Sequence, residues 1–134
     1  MKSIIKNIKH TYRVTKAVIR EKSKSKKRSP QWDETRDLHV SNNPVCAACG
    51  SSKRLQVHHI QPFHLYPELE LDPNNLITLC MDISECHLLL GHGDNFRMFN
   101  PEIKNDINLF KNANEDDKIK IIEEIKLKRI EVDK

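Results

Sequence analysis

Two groups of side chains in this sequence have the types and spacing to do chemistry. The first is a set of four cysteines, Cys46-x2-Cys49 and, thirty residues on, Cys80-x5-Cys86. Two paired knuckles of this kind can bring four thiolates to one tetrahedral Zn²⁺ with Zn–S distances near ~2.3 Å. An ion with four protein ligands keeps no position open for substrate, so this would be a structural staple. The x5 spacing is looser than the usual x2, and His87 in place of Cys86 stays open as the fourth ligand. The second group is a run of histidines: His58, His59, His64, His87 and His92 are five of the seven in the chain.

Hydrolysis of a phosphodiester is one reaction such a run suits. It needs an activated water, neutralisation of the charge that develops on phosphorus, and stabilisation of the departing oxygen. A neutral imidazole with a pKa near ~6.5 accepts a proton from water at cytosolic pH. A divalent ion on the phosphate supplies both charge terms. Adjacent strand residues point to opposite faces, so His58 and His59 cannot share one job. One faces a metal while its neighbour faces the phosphate. His87, next to Cys86, is fixed by the knuckle and is the expected second metal ligand. His92 lies five residues further, slightly beyond an ideal i, i+4 pair, and a turn at Gly91 is needed to bring it in.

These residues must be held by a small set of elements. Cys46-Ala-Ala-Cys49-Gly50 reads as a turn whose glycine permits positive φ. Leu55–Ile60 reads as a strand with Leu55 and Val57 on one face. A proline-punctuated loop then leads to a second strand, Leu76–Leu79, ending at Cys80. Ser84 is the expected N-cap of a short helix through Cys86, His87 and Leu90, stopped by Gly91 and Gly93. Upstream, Ser29–Pro30 predicts the cap and first position of a helix carrying Trp32 and Arg36, ending before Asn42-Asn43-Pro44. Trp32 is expected in the core and His64 in a structural role. Downstream, Asn114 caps a helix that opens with Glu115, Asp116 and Asp117 and closes with Lys126, Lys128 and Arg129, matching the macrodipole. Ile119, Ile122, Ile125 and Ile130 are its expected buried stripe. Ile4–Arg20 has a weak helical period, and Lys22–Arg28 reads as a linker.

Composition narrows the class. A chain of 134 residues, 37% hydrophobic and 31% charged, has a thin core and gains from a metal staple. No apolar run approaches the ~20 residues of a membrane span, and the N-terminus lacks the apolar region and cleavage site of a signal peptide. A cytoplasmic location is expected, where four cysteines read as metal ligands rather than disulfides. Residues 1–30 hold eleven Lys/Arg against Glu21 alone, a net +10, so within a total of +4 the remainder carries −6. Polyphosphate is the obvious partner of such a tail. The organisation expected is a basic tail and linker over 1–28, a metal-stapled domain over 29–101 and a helical extension over 102–134.

Together, Cys46–Cys49–Gly50, Val57-His58-His59-Ile60-x-Pro62, Asn75-Leu76-Ile77-Thr78-Leu79-Cys80 and Cys86-His87 resemble the HNH endonucleases. The likeness covers about residues 30–101, with a Pro30/Trp32/Arg36 lead-in similar to phage and bacterial members and a Gly91–Phe96 segment like one branch of them. It implies an α+β fold: a ββα-metal finger of two short antiparallel strands plus helix, stapled by structural zinc and flanked by N- and C-terminal helices. It implies His58 as a ligand of the catalytic metal, His59 as general base, and Asn75 as the central asparagine that organises the loop and orients the base. Asn74 is its adjacent competitor. It implies His87 as second metal ligand and His92 as third ligand or phosphate contact. The catalytic ion would be Mg²⁺, Mn²⁺, Ni²⁺ or Zn²⁺, and the products 5′-phosphate and 3′-hydroxyl ends. DNA is the implied substrate, with a phage packaging or restriction complex as a partner that supplies the target. The alternative is a zinc-dependent DNA-binding module that does not cut, but a binder has no need of His58, His59, Asn75 and His87 together.

Overall fold

The computed structural model describes residues 27–132. The helix expected over Ile4–Arg20 and most of the linker lie outside them. The architecture is α+β, with two small antiparallel strand pairs and short helices around one cysteine-rich core.

The central pair is β1, Leu55–His59, and β2, Leu76–Cys80, in register from Leu55↔Cys80 to His59↔Leu76. The first knuckle folds as expected. Gly50 takes φ +78°, and its N–H donates to the Cys46 carbonyl at 2.9 Å. Ala47 N–H donates to the Thr78 carbonyl at 2.9 Å, which ties the knuckle to β2 and sets Cys46 beside Cys80. The connection between the strands contains two 3₁₀ turns, Pro67–Leu69 and Pro73–Asn75, each with a proline in its first positions. Proline has no N–H to leave unpaired there.

After β2 the structure departs from expectation. Ser84 caps no helix. Instead Cys86 leads into a single π-helical turn, His87–Gly91. Gly91 does not stop this turn but lies inside it, buried. A Cβ on Gly91 would stand 3.0 Å from His58 Cε1 and 3.1 Å from its Nδ1, so the glycine is there for close approach. Gly93, at φ +59°, turns the chain away.

Among the described residues, three α-helices surround this unit. The first, α1, runs Trp32–Asn42 and buries no residue. Ser29 and Pro30 precede it as a turn: Ser29 Oγ accepts from Gln31 N–H at 3.1 Å, and no side chain caps the helix. Trp32 is only half-buried, which corrects its expected place in the core. Helix α2, Ile103–Lys111, buries Ile103, Asp106, Ile107 and Phe110, an i, i+3, i+4, i+7 stripe. Helix α3, Glu115–Lys128, begins as expected, with Asn114 Oδ1 accepting from Asp117 N–H at 2.8 Å.

The stripe of α3 follows expectation at Ile122, Ile125 and Ile130 and departs from it at Ile119, which is 60% exposed, while Ile121 packs inward. Lys128 is buried, its ammonium 2.7 Å from Asp106 Oδ2 and 3.4 Å from Glu102 Oε2.

Leu79, Leu90, Ile103, Ile107, Phe110 and Ile125 form the main core with Cys46, Cys80 and Cys86. The fully buried members would each cost ~2–5 kcal/mol on truncation to alanine. A second strand pair, not anticipated from sequence, joins β3, Met98–Phe99, to β4, Ile130–Glu131. No helix among the described residues is long and apolar enough to cross a membrane.

Candidate metal centre and active site

The cysteine cluster comes first, because it anchors the rest. The sulfurs of Cys46, Cys49, Cys80 and Cys86 all lie within 4.8 Å of one another, and Cys49 and Cys80 approach to 3.5 Å. A tetrahedral ion with ~2.3 Å bonds would set its sulfurs ~3.8 Å apart, so the set fits one. Three of the four are buried. The hydrogen bond from Cys86 holds the Cys46 thiol down to about 4 and pushes Cys86 up, while burial pushes Cys49 up. Cys46 thus carries the first negative charge of a cluster whose further ionisation calls for a cation. His87 is not part of this group, which closes the alternative that it replaces Cys86.

His87 belongs to the second cluster. A ligand atom from each of His58, His87 and His92 lies within 4.8 Å of the others. The π turn is what joins the last two, because its wider i→i+5 spacing returns residues five apart to one side. His87 Nε2 and His92 Nε2 are 3.2 Å apart.

The outer partners fix the tautomers. His92 Nδ1 is 2.7 Å from the Met98 carbonyl, which can only accept, so Nδ1 carries the proton. His87 Nδ1 likewise donates to Gln56 Oε1 at 2.6 Å. Both Nε2 atoms are left with lone pairs facing each other. Burial holds His87 down to about 3 and lowers His92, so a proton is a poor bridge. A metal ion is a good one: ligands at ~2.0–2.1 Å on adjacent positions stand between ~2.9 and ~3.4 Å apart. His58 completes the set from β1, 2% exposed and with Nε2 unpartnered. Its pKa is pushed well down by burial first, then by His92 and His87. A buried polar atom without a partner calls for an explanation, and a ligand role supplies one.

His59 turns the other way from the strand yet borders the same cleft. The cleft, about 250 Å³, is lined among others by Arg28, His58, His59, His87, His92 and Phe96. His59 Nε2–H donates to the Glu70 carbonyl at 3.0 Å, and its ring stacks on Trp32 at 4.5 Å between centroids. Burial lowers its pKa, against the Glu70 carbonyl, which raises it.

Asn75 organises the loop behind it. Oδ1 accepts from Gln61 N–H at 2.7 Å, and Nδ2 donates to the carbonyls of Gln61 and Leu69, both at 3.1 Å. Leu69 precedes Glu70, so the asparagine holds the stretch that holds His59. Asn74 is exposed and bonds only to Asp72, through its own N–H.

Several partners in this site were not visible in the sequence. Arg28, read as the end of a linker, stands 3.1 Å from Glu70 Oε2 with its guanidinium over the Phe63 ring. Glu70 is 4% exposed and also accepts from Ser29 N–H at 2.8 Å. Phe96 packs against His92 and His87 at 4.9 and 5.7 Å between centroids. Gln56 alternates with His58 on β1, and that period was the one available signal for it. His64 is exposed and lines the same cleft.

No curated protein and no solved structure matches the chain. Residues 46–93, which hold the four cysteines together with His58, His59, Asn75, His87 and His92, match the family model HNH endonuclease.

Proposed function

We propose that the protein is a metal-dependent endonuclease that hydrolyses DNA phosphodiester bonds, by nicking or double-strand cutting. The observation that carries this reading is the convergence of His58, His87 and His92 in one cleft with His59. A binding module would have no use for three imidazoles with lone pairs turned inward beside a fourth set to take a proton.

In this reading the four cysteines hold a structural Zn²⁺. His58, His87 and His92 would hold the catalytic divalent ion, which when bound neutralises phosphate charge and stabilises the departing oxygen. Three imidazoles suit Ni²⁺ or Zn²⁺ better than Mg²⁺, which prefers oxygen ligands. His59 accepts the proton of the attacking water at Nδ1. Its Nε2–H to the Glu70 carbonyl then stabilises the imidazolium. Arg28, anchored on buried Glu70 and half-exposed to the cleft, binds a phosphate oxygen. Asn75 keeps the loop, and through it His59, in place. The products are 5′-phosphate and 3′-hydroxyl ends. A phage packaging or restriction complex is the proposed setting in which a target would be chosen.

The test is supercoiled plasmid incubated with zinc-loaded protein and added Ni²⁺, Mn²⁺, Mg²⁺ or Zn²⁺. Relaxed or linear product that vanishes in His59→Ala supports the reading. Plasmid bound but never cut under any of these ions makes the chain a DNA-binding module instead.

A further inference from the structure

We infer that the chain beyond the family-matched segment forms a positioning frame for His92, with Asn100 and Arg129 as its positioning residues. This rests on His58, His87 and His92 being metal ligands, as proposed above.

The physical problem is the π turn. Such turns are rare, single-turn features, and this one must be held so that His92 meets His87. Its carbonyls need donors from elsewhere. Asn100 supplies two: its Nδ2 donates to the Leu90 carbonyl at 3.0 Å and its own N–H to the Gly91 carbonyl at 2.9 Å. Arg129 Nη1 donates to the Gly93 carbonyl, just past the turn. Three successive points around His92 are therefore gripped from outside the turn.

Asn100 is itself fully specified. It is 0% exposed. Its second amide proton goes to Asp106 Oδ2 at 2.8 Å, and its Oδ1 accepts from Glu102 N–H at 3.0 Å. Asp106 is paired with Lys128 at 2.7 Å. The clasp thus runs from the π turn through α2 to the end of α3. An aspartate at 100 has no amide proton to give Leu90 or Asp106, so the residue type follows from the network.

A second arm reaches the imidazole. Met98, whose carbonyl accepts from His92 Nδ1, sits on β3, and β4 pins that strand through Met98↔Glu131 and Phe99↔Ile130. Val132 N–H adds a bond to the Arg97 carbonyl at 2.7 Å. Every one of these supports lies after residue 93, where the family match ends. The matched segment supplies the third ligand, and the chain outside it supplies the ligand's orientation.

The experiment uses full-length, zinc-loaded chain titrated with Co²⁺, followed by calorimetry and the visible d–d bands. Wild type is compared with His92→Ala, Asn100→Ala and Arg129→Met, the last keeping the stem that packs over Gly93. Wild type is expected to take one Co²⁺ beyond its zinc, and His92→Ala to lose it. Asn100→Ala and Arg129→Met should bind about 10–100-fold more weakly, as loss of an outer partner of a metal ligand does, with zinc content and far-ultraviolet dichroism unchanged. Binding as tight as wild type in folded Asn100→Ala and Arg129→Met overturns the inference, even if their melting temperatures fall. Should Asn100→Ala not fold, Arg129→Met decides alone. If wild type takes no second ion, or His92→Ala binds as well as wild type, the metal reading has failed and the frame fails with it.

Discussion

The His59 imidazole donates Nε2–H to the backbone carbonyl of Glu70 at 3.0 Å. A carbonyl cannot donate, so this bond fixes the tautomer and leaves Nδ1 as the ring's free base. Trp32 stacks on the ring and limits its rotation. The Glu70 side chain meanwhile carries Arg28. One residue of the loop therefore holds both the His59 imidazole and the Arg28 guanidinium.

Replacing His59 by alanine removes the proposed base while leaving the cysteine and histidine clusters intact. Cleavage should fall by about 10²–10⁴-fold, with zinc content and DNA affinity retained. Single-turnover relaxation of plasmid measures the first, and metal analysis with gel-shift titration the second. Cleavage at the wild-type rate would remove His59 from the chemistry.

Asn75 makes three hydrogen bonds from a 5%-exposed side chain. Asn75→Ala leaves the Gln61 N–H and two carbonyls without partners, at about 1–3 kcal/mol for each group that stays buried and unpaired. Asn75→Asp keeps the acceptor for Gln61 N–H but loses both donations. Both variants should melt earlier and cut more slowly. The aspartate should restore little of the rate, because the Leu69 carbonyl next to Glu70 stays unheld. Full activity in Asn75→Asp would show that the loop does not orient His59 through this residue.

The parts of the site written in residue spacing were legible. The C-x2-C turn, the alternation of His58 and His59, and the asparagine opening β2 each follow from local geometry that a sequence records. The π turn does not, since one residue of extra winding leaves no mark in composition. Its trace was the awkward five-residue step from His87 to His92, and the Asn100 donors to its Leu90 and Gly91 carbonyls lie eight residues past His92. Backbone partners such as the Glu70 and Met98 carbonyls are invisible for a simpler reason: every residue has one. The stripe of α3 was legible at Ile122, Ile125 and Ile130, while Ile119 and Ile121, two residues apart, fit overlapping stripes and the inward one is Ile121.

Gly91→Ala tests how tightly the ligands are packed. The new methyl would stand 3.0 Å from His58 Cε1 and 3.3 Å from His87 Cδ2, pressing on two ligands at once. Both rings would have to shift by tenths of an ångström, and second-ion binding should weaken about 10-fold or more. Zinc uptake proposed for the cysteine cluster should be unaffected. Undiminished Co²⁺ affinity in Gly91→Ala would mean the rings have slack that the structure does not show.

Removal of the structural ion proposed for the cysteine cluster should be felt by the whole domain. Cys46, Cys80 and Cys86 are part of the main core, and without a cation Cys49 and Cys86 are held as thiols, so nothing ties the two knuckles together. Binding at such sites releases on the order of 10 kcal/mol, comparable with the entire stability of a small domain. Chelation, or Cys80→Ser, should therefore abolish cooperative thermal unfolding. A sharp transition that survives chelation would show that packing alone suffices.

Stability should also fall in mild acid. Burial holds His58, His59, His87 and His92 below the ordinary histidine range, His87 at about 3. In the unfolded chain the same groups titrate near ~6.5. Between the folded and unfolded values the unfolded chain binds more protons, so it gains as pH drops. The stabilisation is complete above ~6.5 and is lost progressively below it, with a slope approaching ~1.4 kcal/mol per pH unit for each histidine still neutral in the fold. The melting temperature of metal-depleted histidine sites, with the cysteine zinc kept, should drop between about pH 7 and pH 5. His87→Asn should drop less steeply, having one fewer latent proton. Cleavage by the folded protein should hold to lower pH than its melting temperature does, because the burial that lowers these four groups keeps their imidazoles neutral in the fold. A melting temperature flat across that window would mean that these histidines are as easily protonated in the fold as in water, and would contradict the buried, inward-facing cluster on which the proposed chemistry depends.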